Sequence, residues 1–94
     1  MEDYTEEDIK YLEHIANNGT FEEVCEHLKS MWVWKDYCIK RGNKLTLITG
    51  GWSGHEELIY ILKDSMFGLM YWNSSYRGGK HIFKFNNIYG KITN

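Results

Sequence analysis

Apolar residues in the first third of the chain recur at helical spacing. Ile9, Leu12, Ile15 and Ala16 mark one face, and Phe21, Val24, Cys25, Leu28 and Met31 mark a second. Thr5-Glu6-Glu7-Asp8 predicts the first helix start, a hydroxyl cap followed by acids that complement the helix dipole, and Asn17-Asn18-Gly19 predicts its end. Thr20-Phe21-Glu22-Glu23 reads as a capping box for the second helix.

From Met31 the texture changes to residues that favour strands. Trp32, Val33, Trp34, Tyr37, Cys38 and Ile39 predict a first strand, Arg41-Gly42-Asn43 a turn, and Lys44 to Thr49 a second strand. Ser53 to Glu56 reads as another capping box, opening a helix from about Gly54 to Lys63 that buries Leu58, Ile59, Ile61 and Leu62. Met66 to Trp72 and Lys80 to Phe85 are expected as strands joined through Asn73 to Gly79, with Asn86 to Asn94 as a short edge strand or a frayed end. The expected architecture is one α+β domain over 1–94: two helices across 1–31, then a ββαββ unit across 32–94 with a mostly antiparallel sheet.

Composition narrows the classes. A chain of 94 residues forms one domain and buries roughly 60–68 % of its unfolded surface, enough for one core without metals or disulfides. Aromatics make up 16 % of it, a share that suits cores, interfaces and ligand pockets, and a chain this small and aromatic suits homo-oligomerisation. Net charge is −2, which argues against sequence-independent nucleic-acid binding. That charge is uneven. Residues 1–30 hold nine acids against two lysines, whereas the remainder holds nine basic groups against four acids, a balance able to attract a small anion. Two cysteines without a pattern point to a reducing compartment, and the lack of a leader or long apolar run predicts a cytoplasmic chain with no membrane span. Asn18-Gly19-Thr20 and Asn73-Ser74-Ser75 fit the glycosylation pattern but read as turn chemistry.

Two segments carry the candidate chemistry. In Thr49-Gly50-Gly51-Trp52-Ser53-Gly54-His55-Glu56-Glu57, the glycines free the backbone and Ser53 is expected to cap a helix. Its N–H groups and dipole beside the Trp52 ring would suit an anion or a flat polar ring, with Gly51 and Gly54 allowing close approach. In Tyr71-Trp72-Asn73-Ser74-Ser75-Tyr76-Arg77-Gly78-Gly79-Lys80-His81, the Arg77 fork can clamp a phosphate or carboxylate, Gly78 leaves it unobstructed, and Ser74 and Ser75 add hydroxyls. The plain alternative is a strand-to-helix turn and an ordinary hairpin tip. No phosphate-loop pattern is present, and a hydrolase nucleophile turn would need glycine at the position of His55. His55 and His81 lack a third ligand at metal spacing, so neither a metal nor a cofactor is expected, and no residue is singled out as catalytic.

Thr49-Gly-Gly-Trp-Ser-Gly-x-Glu-Glu, a following Met66-Phe67 pair and Trp72-x-Ser-Ser-x-Arg-Gly-Gly resemble a widespread group of small tailed-bacteriophage proteins of unassigned function. The likeness covers about residues 37–85. Within that group Asn is usual where this chain has His55, and His where it has Lys80. The resemblance implies a phage accessory protein in the cytoplasm of the infected bacterium, of a type that often counters host defence. The first expectation is a non-catalytic binder that sequesters a small phosphorylated or nucleotide-like signal. Its ring would stack on Trp52 and Trp72, and its charge would lie on Arg77 and the helix start. The second is an inhibitor that docks on a host defence protein through the acidic helices or an aromatic patch at Trp32, Trp34 and Tyr37. The third is a small nucleotide-processing enzyme with Glu57 or a histidine as base.

Overall fold

The computed structural model describes residues 4–85. Helix α1 (Glu6–Asn18) and helix α2 (Phe21–Met31) each begin at a complete capping box, Thr5 with Asp8 and Thr20 with Glu23. A 3₁₀ turn (Lys35–Tyr37) leads into β1 (Cys38–Arg41), and a Gly42-Asn43 turn joins it to β2 (Lys44–Ile48). Helices α3 (Ser53–Lys63) and α4 (Met66–Tyr71) precede β3 (Trp72–Tyr76) and β4 (Lys80–Lys84). All strand pairs are antiparallel, in the order β1-β2-β4-β3. The fold is α+β, as expected. The proposed tail strand lies outside the described residues.

Two segments differ from their sequence reading. Met66 to Tyr71 is a helix rather than a strand, because a short apolar run has no period of its own and its neighbours decide it. Asn17 at the end of α1 accepts the Met66 N–H (3.0 Å), and the Leu69 N–H reaches the Ser65 carbonyl. Phe67 and Tyr71, one turn apart, then pack together on Phe21. The unit after the first two helices is therefore ββααββ.

Residues 32–37 also leave the sheet. The Lys29 ammonium donates to the Lys35 and Cys38 carbonyls, and Lys35 donates back to the carbonyls of Lys29 and Ser30. These reciprocal bonds satisfy carbonyls left open at the end of α2 and fold the segment against that helix. Only from Cys38 is the backbone free to pair with β2.

Strand alternation divides the sheet into two faces. Cys38, Leu45, Leu47 and Phe83 point into one core with Leu12, Phe21, Leu28, Leu58, Leu62 and Phe67 of the helices. Lys40, on the same face, pairs with Glu22 of α2 at 3.0 Å. Ile39, Arg41, Lys44, Thr46, Ile82, Lys84, Ser74 and Tyr76 fall on the other face. A bulge between Trp72 and Ser74 turns Trp72 to the helix side, where the Lys63 ammonium lies 5.2 Å from its ring centre.

Gly68 sits where α4 crosses the end of α3. A Cβ there would meet the Leu62 carbonyl oxygen and lie 2.6 Å from the Lys63 Cα, backbone atoms that cannot swing aside. Gly68→Ala is expected to cost about 1–3 kcal/mol. Thermal unfolding should show this as a fall of several degrees, despite the better helix propensity of alanine.

Candidate functional site

The first motif is organised around His55, which is fully buried. Its ring stacks on Trp32 at 4.2 Å between centroids with only 1° between the planes. The Val33 N–H donates to Nε2 (3.1 Å), so Nε2 is unprotonated and Nδ1 carries the hydrogen that faces the Thr49 carbonyl (3.1 Å). The Trp32 indole N–H donates to the Ile48 carbonyl (3.0 Å). A neutral imidazole thus pins the end of α2, the end of β2 and the start of α3 together. Burial lowers the His55 pKa, against the opposing pull of the Thr49 carbonyl.

The turn before α3 is held by Thr49, whose Oγ1 takes the Gly51 N–H and whose carbonyl takes the Trp52 N–H. Gly50 and Gly51 have φ of 64° and 79°, which favours glycine. The capping expectation shifts by one residue here. Trp52, extended at φ −81° and ψ 128°, is the N-cap, and its carbonyl already takes the Glu56 N–H. Ser53 is therefore the first helical residue, and neither its hydroxyl nor Glu56 forms the capping box.

The two motifs do meet, through backbone. The Thr49 N–H donates to the Gly79 carbonyl at 3.0 Å, and a Cβ on Gly79 would collide with Thr49 Oγ1. Their side chains part company. The Trp52 ring lies among Tyr4, Trp34 and His55, and a Cβ on Gly54 would come within 2.5 Å of it. The space Gly54 leaves is thus filled by Trp52. Arg77 and Gly78 are exposed at the hairpin tip, where Gly78 has φ of 85°. Ser74 and Ser75 point to opposite faces, with Ser75 opposite His81 on the helix side. Trp32, expected in an exposed aromatic patch, is buried; Val33, Trp34 and Tyr37 remain exposed.

A hollow of about 490 Å³ opens between α3 and β4, lined by Glu56, Ile59, Tyr60, Lys63, Asp64 and His81. Neither Trp52 nor Arg77 lines it. His81 Nδ1 is buried there without a hydrogen-bond partner among the described residues. Burial holds the His81 pKa below its ordinary value, Lys63 adds to the effect and Glu56 opposes it. That nitrogen is itself shielded from solvent; the rest of the half-buried ring lines the hollow. Lys63, between this hollow and Trp72, combines a cation with an exposed indole. Sequence pattern had drawn attention to Glu56, His81, Trp72 and Ser75, but nothing in it signalled Lys63 or Tyr60, which look like ordinary outward helix positions.

The buried thiols offer no nucleophile, since burial pushes Cys25 up to about 12 and Cys38 up to about 11. Among the described residues, no three His, Cys, Asp or Glu side chains gather as a metal site, and no helix is long and apolar enough to cross a membrane.

The His55 contacts carry a pH signature. The unfolded chain binds its proton near 6.5, the folded chain only at lower pH. Its contribution is therefore complete above about 6.5 and declines as pH falls through the folded value. His27 and His81 are lowered too and act in the same direction. Denaturant titrations from pH 7.5 to 5 should show falling stability, with a shallower fall in His55→Gln, which can still donate and accept. His55→Ala should lose about 2–4 kcal/mol at neutral pH, from two orphaned backbone groups and a cavity. Compared with protein families, curated proteins and solved structures, the chain matches none.

Proposed function

We propose that this protein binds a small phosphorylated or nucleotide-like ligand, without catalysis, in the groove between α3 and the β3–β4 hairpin. The observation that carries the reading is the hollow itself, which Lys63 and the half-buried His81 ring line together beside the exposed Trp72 indole. A cation and a polar ring that line one hollow favour an anionic guest with hydrogen-bonding groups. Lys63 supplies positive charge at the wall and Trp72, beside it, supplies a flat face on which a base can lie. Ser75, across from His81, adds a hydroxyl. Arg77 has no hydrogen bond or ion pair among the described residues, so its fork is available to a phosphate extending past the tip.

This assignment moves the ring-binding role from Trp52 to Trp72. Trp52 is engaged by three other aromatic rings, whereas Trp72 presents an exposed surface. Taken with the resemblance to small tailed-bacteriophage proteins, the chemistry suits an accessory protein that sequesters a nucleotide immune signal in the infected cell.

Native mass spectrometry of the protein as isolated should reveal a retained nucleotide-sized mass. A thermal-shift panel of mono-, di- and cyclic nucleotides should give a shift with at least one member. Lys63→Ala and His81→Leu should each weaken that binding about tenfold or more, as expected for losing a hydrogen bond to a charged group. An absence of both bound mass and thermal shift would sink the reading, as would affinity unchanged in both variants.

A further inference from the structure

The face of the sheet turned away from the described helices carries a second feature, independent of the groove. β1, β2, β3 and β4 contain five cations, Lys40, Arg41, Lys44, Lys80 and Lys84, and no carboxylate. Lys40 turns to the helix side and pairs with Glu22, the one ion pair among the described residues. The other four lie on the opposite face.

Their register is unusual. Arg41 stands opposite Lys44 across β1 and β2, and Lys44 stands opposite Lys84 across β2 and β4. Three cations thus form one row across three adjacent strands, about 5 Å apart at their Cβ atoms. Like charges directly opposite one another destabilise a sheet, and no described carboxylate relieves this row. At the far end of the face, Lys80 lies 5.5 Å from the ring centre of Tyr76, which is 55 % exposed. Thr46, Ile82 and Ser74 lie on the uncharged rung between the two ends; Thr46 and Ile82 are buried, so the accessible groups are the cations and Tyr76 at the ends.

We infer that this face binds single-stranded nucleic acid, with phosphates on Arg41, Lys44, Lys84 and Lys80 and a base on Tyr76. Cations at both ends of one face with an exposed aromatic ring at one of them are a combination that can track a backbone while stacking a base. The whole-chain charge of −2 points the other way. Most of the acids, however, sit on α1 and α2; α2 packs on β1 from the other side of the sheet and α1 packs on the other helices, so the field at this face is set by its own cations. A second copy fits less well, because Lys10 and Lys29 interrupt the acidic helices that would have to cover the row.

The test is fluorescence anisotropy with a labelled 20-nucleotide oligo-dT, titrated at several salt concentrations. Four phosphate contacts predict an affinity loss of about 50-fold between 50 and 200 mM salt, from a slope near −0.7 per contact. The double variant Lys44→Gln, Lys84→Gln should bind more weakly, with the salt effect reduced to about sevenfold. It should unfold at the same temperature or higher, since repulsion is relieved. Tyr76→Ala should weaken binding while leaving the salt slope unchanged, and Lys10→Gln on α1 should change nothing. The inference fails if oligo-dT does not bind at 50 mM salt, or if the double variant binds like the parent. Equal binding of duplex DNA would overturn the stacking role. Equal binding of polyglutamate would assign the face to acidic proteins, and a concentration-dependent change in sedimentation abolished by the double variant would assign it to a second copy.

Discussion

The stack of His55 on Trp32 is the contact on which the rest of the arrangement depends. Both rings are fully buried, and each spends its polar atoms on backbone groups that secondary structure leaves open. Val33 N–H lies just past the end of α2, and the Thr49 and Ile48 carbonyls lie at the end of β2. One imidazole and one indole thus close the corner where helix, strand and turn would otherwise expose unpaired polar groups. The same requirement makes a charged His55 incompatible with the corner.

Thr49 carries this order outward to the second motif. Its carbonyl is fixed by His55, its hydroxyl and carbonyl hold the Gly50-Gly51 turn, and its N–H holds Gly79. The two glycine-rich segments are therefore parts of one construction. Several of their residues are explained by it: Gly54 makes room for Trp52, and Gly79 makes room for Thr49. The proposed ligand role uses residues that this construction leaves uncommitted, namely His81, Lys63, Trp72 and Arg77.

Charge is distributed by the same fold. Acids gather at the helix starts, where Glu6, Glu7, Asp8, Glu22 and Glu23 complement dipoles, while the strands hold only cations. Packing both helices on one side of the sheet separates the two populations in space. A protein of modest net charge then carries one acidic layer and one basic face, each with its own local field.

The sequence by itself determined the elements whose signals are local. Thr5 with Asp8 and Thr20 with Glu23 place both helix starts, and Gly42 places the first hairpin, because capping and turn chemistry act over three or four residues. It also determined that the two motifs are special, through glycines that the observed turns require. Tertiary structure decided what local chemistry leaves ambiguous. Met66 to Tyr71 became a helix because Asn17, forty-nine residues away, supplies its cap and Phe21 its packing surface. Trp32 to Tyr37 left the sheet because Lys29 and Lys35 bind each other's carbonyls. The groove at His81 exists only once α3 lies beside β4, and the cation row at Lys44 only once β4 lies beside β2, since their residues are close in space and far apart along the chain.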